Sequence, residues 1–299
     1  MFNPLSDEEK SRISYLLKNL ECENENYLRL LYNSQYYKTK VLSNYISTGQ
    51  FLYLAKRFFR RDKKIEGAQL NVDYFSDERI AIYSCVTGKY DSIQKPIILP
   101  DNCDFYMVTD DPESVENCWN YIDVDEIVPD KSMSPKDKNR FVKMHPDYVF
   151  KDYKYSIYID GNIKPISDFT KYINMVGQCG IATFMHPHNR CVYKECRTVL
   201  ENKKASREEI DKHLQFFKKE GMPKNFGFAD CGLIVRRHND KMCRTFMDEW
   251  WEQYCQYSKR DQISFAYTAF KQGIQMSEIT VLGKNMYKDY AIRRLPHFL

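Results

Sequence analysis

Between about Ser6 and about Arg61 the apolar residues recur at helical spacing, first as Ile13, Leu16, Leu17 and Leu20, then as Tyr27, Leu28, Leu30 and Leu31, with no strand alternation. Ser6 ahead of Glu8 and Glu9 marks a helix start, because a side-chain oxygen caps the first amides and acids suit the positive end of the helix dipole. The stretch closes on Phe51-Leu-Tyr-Leu-Ala-Lys-Arg-Phe-Phe-Arg-Arg61, which combines aromatics with four cations. Such an end either packs on the main domain with its charges solvated, the simpler reading, or makes peripheral contact with an anionic membrane surface. Residues 62 to about 78 read as a polar connector. The chain therefore divides into an N-terminal helical extension, residues 1–75, and an α/β domain, residues 76–299.

From Arg79 the period changes. Short apolar runs lead into turns: Arg79-Ile-Ala-Ile-Tyr-Ser-Cys-Val-Thr-Gly-Lys-Tyr-Asp91, Cys103-Asp-Phe-Tyr-Met-Val-Thr-Asp-Asp111, Trp119-Asn-Tyr-Ile-Asp-Val-Asp125 and Tyr155-Ser-Ile-Tyr-Ile-Asp160. A further strand ends near Phe184, and Phe228 to Arg236 reads as a late one. Asp168 to Val176, Ser206 to Glu220 and Asp240 to Tyr257 read as helices. Strands separated by helical or loop connections predict an α/β sheet whose ligand crevice lies at the strand carboxyl ends, where Gly88, Asp110 and Asp160 fall.

Composition narrows the function classes. With 43% hydrophobic and 29% charged residues the chain is globular, and 45 basic against 41 acidic residues leave a net charge of only +4, which excludes a nucleic-acid-binding composition. The 23 Tyr and 18 Phe are accounted for mainly by core filling, with sugar or base stacking as a secondary use. Ten scattered cysteines with no CxxC pair read as reduced thiols. Residues 1–10 lack the apolar centre of a signal peptide, and no stretch approaches the ~18 apolar residues that span a bilayer. The expectation is a cytoplasmic protein, at most peripheral at a membrane.

Asp160 is the first chemical candidate. An acid delivered by a buried strand into Asp160-Gly-Asn162 suits a divalent cation, Mn2+ or Mg2+, held against a diphosphate, with Asn162 as a neutral oxygen donor; a purely structural turn is the alternative. In Lys138-Asn-Arg-Phe-Val-Lys-Met-His-Pro146, Arg140 and Lys143 are cations placed to clamp a diphosphate, while Lys138 reads as part of a solvated helix face. Phe184-Met-His186-Pro-His188-Asn-Arg190 offers His186 as a further metal ligand, or a hydrogen-bonded structural histidine, and His297 is another possible completing ligand. Asp230, directly before a strand, is placed to accept a proton from an incoming hydroxyl or to hold an acceptor sugar. Asp261 in Arg260-Asp261-Gln262 is either a catalytic acid or a helix N-cap, and the cap reading leaves Arg260 and Gln262 unexplained.

Taken in order, these segments resemble the TOD/MUCI glycosyltransferase-like domain family. The matching residues are Thr87-Gly88-Lys-Tyr90-Asp91, Val108-Thr-Asp110, Arg140 with Lys143 and His145-Pro146, Tyr155 to Gly161, His186-Pro with Arg190 and Tyr193-Lys-Glu195, Gly221-Met-Pro223, Val235-Arg236 with His238, Trp250-Trp251, and Arg260-Asp261-Gln262-Ile-Ser-Phe265. They span roughly residues 79 to 272. The resemblance implies a GT-A type, Rossmann-like domain that binds a nucleotide sugar, with Thr87, Gly88, Tyr90, Asp91 and Asp110 near the nucleoside and Arg140, Lys143 and Arg260 near the diphosphate. It further implies Asp160, with Asn162 and His186, on the cation, and Asp230, Asp261 and Gln262 near the reacting atoms. The Asp261-Gln262 pair is similar to one in retaining enzymes of the glycogenin type, which implies retention. The expected activity is transfer of a sugar from a UDP- or GDP-sugar to a glycan acceptor in polysaccharide or glycoconjugate synthesis. The alternative is a non-catalytic nucleotide- or sugar-binding module of the same fold. A nucleotidyltransferase is disfavoured by the lack of a glycine-rich phosphate loop.

Overall fold

Buried along its whole length, β1 (Ile80–Val86) carries apolar residues on both faces without alternation, as a central strand covered on both sides must. After it in chain order come β2 (Cys103–Thr109), β3 (Asn120–Asp123), helix α1 (Pro135–Met144), β4 (Tyr155–Ile159), β5 (Ile163–Pro165) and β6 (Ile181–Met185). Helices α2 (Val192–Glu201) and α3 (Arg207–Lys219) follow, then β7 (Ala229–Arg236), α4 (Lys241–Gln256), α5 (Asp261–Lys271) and β8 (Ile292–Arg294). The structure, a computed structural model, describes residues 76–201, 205–257, 259–289 and 291–295. The expected N-terminal helical extension, its basic aromatic end and His297 lie outside the described residues.

The main sheet has six strands in the order β3-β2-β1-β4-β7-β6. β1 pairs in parallel with β2 on one side and β4 on the other, β2 pairs in parallel with β3, and β7 runs antiparallel between β4 and β6. The direction of winding therefore reverses between β1 and β4, and a crevice opens outside their carboxyl ends. Asp160 follows β4 at that edge. Because β7 runs the opposite way, its beginning, Ala229-Asp230, reaches the same edge, as does the end of β6 with His186. β5 and β8 form a separate antiparallel pair just beyond Asp160.

One face of the sheet packs Tyr83 and Tyr158 against Phe141 of α1, Phe246 and Trp250 of α4 and Phe265 of α5. The other packs Ile82, Ile157 and Ile159 against Phe169, Tyr172 and Ile292. Each such fully buried side chain contributes about 1.5–3 kcal/mol of transfer free energy, so both faces hold the edge of the sheet rigid. A third cluster joins α2, α3 and α5 through Val192, Phe217 and Tyr267.

Local chemistry sets the helix limits. The Ser134 hydroxyl accepts the Asp137 N–H and Pro135 occupies the first turn of α1, while Ser206 and Glu209 form a reciprocal capping box on α3. The strand expected from Trp119 to Asp125 is shorter, because Asp123 accepts the Asp125 N–H and starts a 3-10 turn at Val124. The helix expected over 168–176 is a 3-10 turn, Thr170–Met175, begun by the Asp168 carboxylate accepting the Thr170 N–H. Lys138, expected on a solvated face, is 12% exposed and donates to Asp125 at 2.5 Å. No helix among the described residues is long and apolar enough to cross a membrane.

Candidate active site

At the end of β1 the chain turns through Gly88, at φ +61°, against α1: a Cβ there would stand 3.0 Å from the Pro135 Cβ. The buried Thr87 hydroxyl donates to the Pro135 carbonyl at 2.7 Å, and the Gly88 N–H donates to both Asp110 oxygens, at 2.9 and 3.1 Å. Thr87, Gly88 and Asp110, expected beside a nucleoside, are thus bonded to one another and to α1, and they shape the rim of the crevice. Tyr90 is 52% exposed on this rim. Asp91 reaches inward, and only a glycine at 161 allows it: a Cβ on Gly161 would lie 2.7 Å from Val86 and 3.3 Å from Asp91 Oδ2.

The Asp160 carboxylate stands at the end of β4, 33% exposed. Its N–H donates to the Gly232 carbonyl at 2.8 Å, and its Oδ2 rests over Gly232, where a Cβ would meet it at 3.3 Å. Its Oδ1 accepts from Lys143 Nζ at 3.1 Å. Lys143, 1% exposed, also donates to Asp261 Oδ2 at 2.9 Å and lies 4.9 Å from the centre of the Tyr158 ring. Burial opposes a charged lysine here, but Asp160 and Asp261 outweigh it and raise the Lys143 pKa. The helix end that carries Lys143 is itself pinned: the buried Arg236 guanidinium donates to the Lys143 carbonyl at 2.6 Å and to the Tyr83 hydroxyl.

Asp261 is not the helix cap that its position suggests. It is the first residue of α5, the N-cap position belongs to Arg260, and no side chain caps the helix. The Asp261 carboxylate instead takes Lys143 and, at 3.2 Å, Arg140 Nε on the same oxygen. Burial alone would raise its pKa, yet Arg140, Lys143 and Arg260 drive it well below the usual carboxylate range. A carboxylate so firmly ionised is a poor proton acceptor, and it holds two cations on one oxygen. The Trp250 indole N–H, donated to the Asp261 carbonyl at 2.8 Å, fixes where α5 begins. Gln262 follows it, partly exposed.

Asp230 is 2% exposed. One of its oxygens accepts the Gly232 N–H at 3.2 Å, and the other is buried without a hydrogen-bond partner among the described residues. Burial pushes this carboxyl up to about 6; the Gly232 bond opposes the shift and the Asp160 charge adds to it. Asp230, expected to receive a proton from an acceptor hydroxyl, is sealed behind Asp160, with the Tyr287 phenol beside it.

The donors expected to hold a divalent cation are committed elsewhere. Asn162 is 5% exposed and gives its amide to the Leu295 carbonyl at 3.0 Å, while the Leu295 N–H returns a bond to the Asn162 carbonyl; the residue ties the β5–β8 pair. His186 Nδ1 accepts the backbone N–H groups of His188 and Asn189, at 3.3 and 3.0 Å, and burial with the nearby His188 and Arg190 lowers the His186 pKa to about 3, so the ring is a neutral turn anchor. Among the described residues no group of three or more His, Cys, Asp or Glu side chains stands together to hold a metal ion. With an ammonium already on Asp160, this donor set does not fit a resident divalent cation.

Lys136 is the residue that sequence reading passed over. It lies one turn ahead of Arg140, and its pKa is lowered by burial and then by the charges of Arg260 and Arg140. Neither Lys136 nor Arg260 has an ion-pair partner among the described residues. Its signal in the sequence was the spacing Lys136, Arg140, Lys143, which puts all three on one side of a helix.

No curated protein matches the chain. Among solved structures it is similar to the apo form of the bifunctional glycosyltransferase WbbM, with 12% identity and a TM-score of 0.44, over 69% of this chain and 40% of that one. The chain thus spans well under half the length of that protein. It is also similar to the apo form of mouse xyloside xylosyltransferase 1, with 13% identity and a TM-score of 0.39, over 66% of this chain and 82% of that one. The model of the TOD1/MUCI70 glycosyltransferase-like domain matches residues 56–297, most of the chain, and the chain belongs to that family.

Proposed function

We propose that this domain transfers a sugar from a nucleoside diphosphate sugar, with UDP or GDP as the nucleotide, to a hydroxyl of a glycan acceptor. The observation that carries the reading is the charge arrangement at the carboxyl edge of the sheet. Lys136, Arg140, Lys143 and Arg260 gather there around Asp261, next to the partly exposed Asp160 carboxylate. A crevice of this sign suits a diphosphate leaving group.

Retention at the anomeric carbon belongs to the same reading. The bond from C1 to the β-phosphate oxygen breaks with its electron pair on that oxygen. The acceptor oxygen bonds to C1 on the same face, and its proton passes to the departing phosphate oxygen. No enzyme base is required, in keeping with the two acids that are poorly placed to serve as one: Asp261 is held by its cations and Asp230 is sealed. Asp160 faces the sugar, where its charge stabilises the positive character that C1 develops as the leaving group departs. Tyr90, exposed on the rim, offers a face for the base.

A screen of UDP- and GDP-sugars for hydrolysis and transfer tests the proposal, with proton NMR of the product reporting the anomeric configuration. Asp160→Asn is expected to lower kcat by about 10²–10³, the usual cost of removing one preorganised electrostatic contact. Wild-type turnover by that variant would remove Asp160 from the chemistry. Nucleotide binding with no turnover of any donor would turn the reading into that of a binding module.

A further inference from the structure

Positive charge crowds one part of this crevice. Four cationic side chains, Lys136, Arg140, Lys143 and Arg260, face two carboxylates, Asp160 and the firmly ionised Asp261. Over these six side chains alone the cations outnumber the carboxylates by two. Lys136 and Arg260 raise the cost further, since they lie within electrostatic reach of each other and of Arg140 without an ion-pair partner among the described residues. Like charges held together in a partly buried site destabilise it unless an anion arrives, so the arrangement is complementary to a bound dianion. α5 begins at the same place with no side-chain cap; the Ile263 and Ser264 amides donate to the Arg260 carbonyl, which leaves those of Asp261 and Gln262 to meet a ligand oxygen.

A divalent cation does the same work in many nucleotide-sugar sites, but here its place is contested. The Lys143 ammonium already sits 3.1 Å from Asp160 Oδ1, so a metal on that carboxylate would be repelled by a buried, fixed positive charge. Asn162 and His186 are engaged with backbone groups, as described above. Resting on the donor reading, we propose that Lys136, Arg140 and Arg260 bind the diphosphate directly, with Lys143 behind them in the role of a metal ion, and that donor binding and transfer need no divalent cation. Lys136 thereby becomes a diphosphate-binding residue and Lys143 a positioning one, since it is buried and acts through Asp160 and Asp261.

Calorimetry on the full chain with UDP and with GDP, in EDTA and in Mn2+ or Mg2+, tests this. The dissociation constant of the nucleotide that binds is expected to change by less than about threefold between the conditions, and donor turnover is expected to persist in EDTA. Lys136→Met, at an exposed helix start, is expected to weaken binding by about tenfold with no fall in the melting temperature of the free protein, as is Arg260→Met. Log affinity is expected to fall with log salt less steeply in both variants than in the wild type. Binding that appears only with Mn2+ or Mg2+, or that tightens more than tenfold with them, overturns the inference and leaves the donor reading standing. Unchanged affinity in both variants overturns the assignment of the cations. Absence of binding by either nucleotide in every condition overturns the donor reading, and the inference with it.

Discussion

Replacing Asp261 by Asn separates a catalytic acid from a structural counter-ion. Asn is nearly isosteric and keeps an acceptor oxygen, so the hydrogen bond from Lys143 survives and only the charge is lost. The charge is what the site depends on: Lys143 and Arg140 both address Asp261 Oδ2, at 2.9 and 3.2 Å, and Lys143 is 1% exposed. Removing one partner of a buried ion pair costs about 3–5 kcal/mol, because the remaining charge is stranded in the interior. Asp160 still neutralises part of Lys143, which places the expected loss at the low end, about 3 kcal/mol, or a fall in melting temperature of roughly 6–12 °C. Urea or thermal unfolding of both proteins at pH 7 measures it. The pH dependence gives a second check. The folded-state pKa of Asp261 is depressed, so its contribution is fully present above the unfolded value, about 4, and is lost as pH falls below that. The gap between wild type and variant is therefore expected to be constant from pH 7 to 5 and to narrow below pH 4. Equal stability at pH 7, or a variant more stable than the wild type, would refute the counter-ion argument and return Asp261 to the list of strained catalytic acids.

Asp230 predicts the opposite sign. Its folded-state pKa is raised to about 6, so the ionised carboxyl opposes folding once pH exceeds the unfolded value, with a cost that grows from about pH 4 to about pH 6. Asp230→Asn is expected to stabilise the domain at pH 7 by up to about 3 kcal/mol and to keep kcat within tenfold of wild type; a thousandfold loss of kcat would make Asp230 the base after all. Gly232→Ala puts a Cβ 2.6 Å from the Met286 methyl and 3.3 Å from Asp160 Oδ2. That variant is expected to lose about 1–3 kcal/mol in urea unfolding and to lower kcat by displacing Asp160, and full activity would show that the carboxylate is not held where it is needed. Asn162→Asp replaces the amide that donates to Leu295 by a group that cannot. Unfolding is expected to show a loss of about 1–3 kcal/mol, while titration with Mn2+ is expected to reveal no gain in affinity; a gain would restore Asn162 to a metal site.

What the sequence revealed and what it hid differ by the range of the interaction. The strand runs from Arg79, Cys103, Tyr155 and Phe228 were legible because burial on both faces leaves an uninterrupted apolar run, and each carries its own polar terminus. The same logic brought Asp160 and Asp230 to one edge of the sheet. Helix α2 and the β5–β8 pair were not found, because the first is stabilised against α3 and α5 and the second joins residues more than a hundred positions apart. The roles of site residues failed for a related reason. Asp261 at the start of a helix looks like a cap or a catalytic acid until Lys143, 118 positions earlier, is seen to bond it. Asn162 reads as a turn residue beside Asp160 until its amide N–H is seen to bond the Leu295 carbonyl, 133 positions later.

The acids at the edge of the sheet are best understood together. A conventional pair of aspartates beside a diphosphate would need a cation to keep both ionised, since carboxylates in close company otherwise share a proton. Here the lysine of one helix bonds both Asp160 and Asp261 and its arginine also meets Asp261, while Asp230, buried without an ion-pair partner among the described residues, is the acid of the three whose pKa rises. Asp261 is pulled down by Arg140 and Lys143, whereas burial pushes Asp230 up and the neighbouring Asp160 charge adds to it. Replacing Lys143 by Met should therefore bring Asp160 and Asp230 closer to sharing a proton. It is expected to raise the pH at which donor turnover becomes half-maximal, whereas damage confined to packing would lower activity equally at every pH.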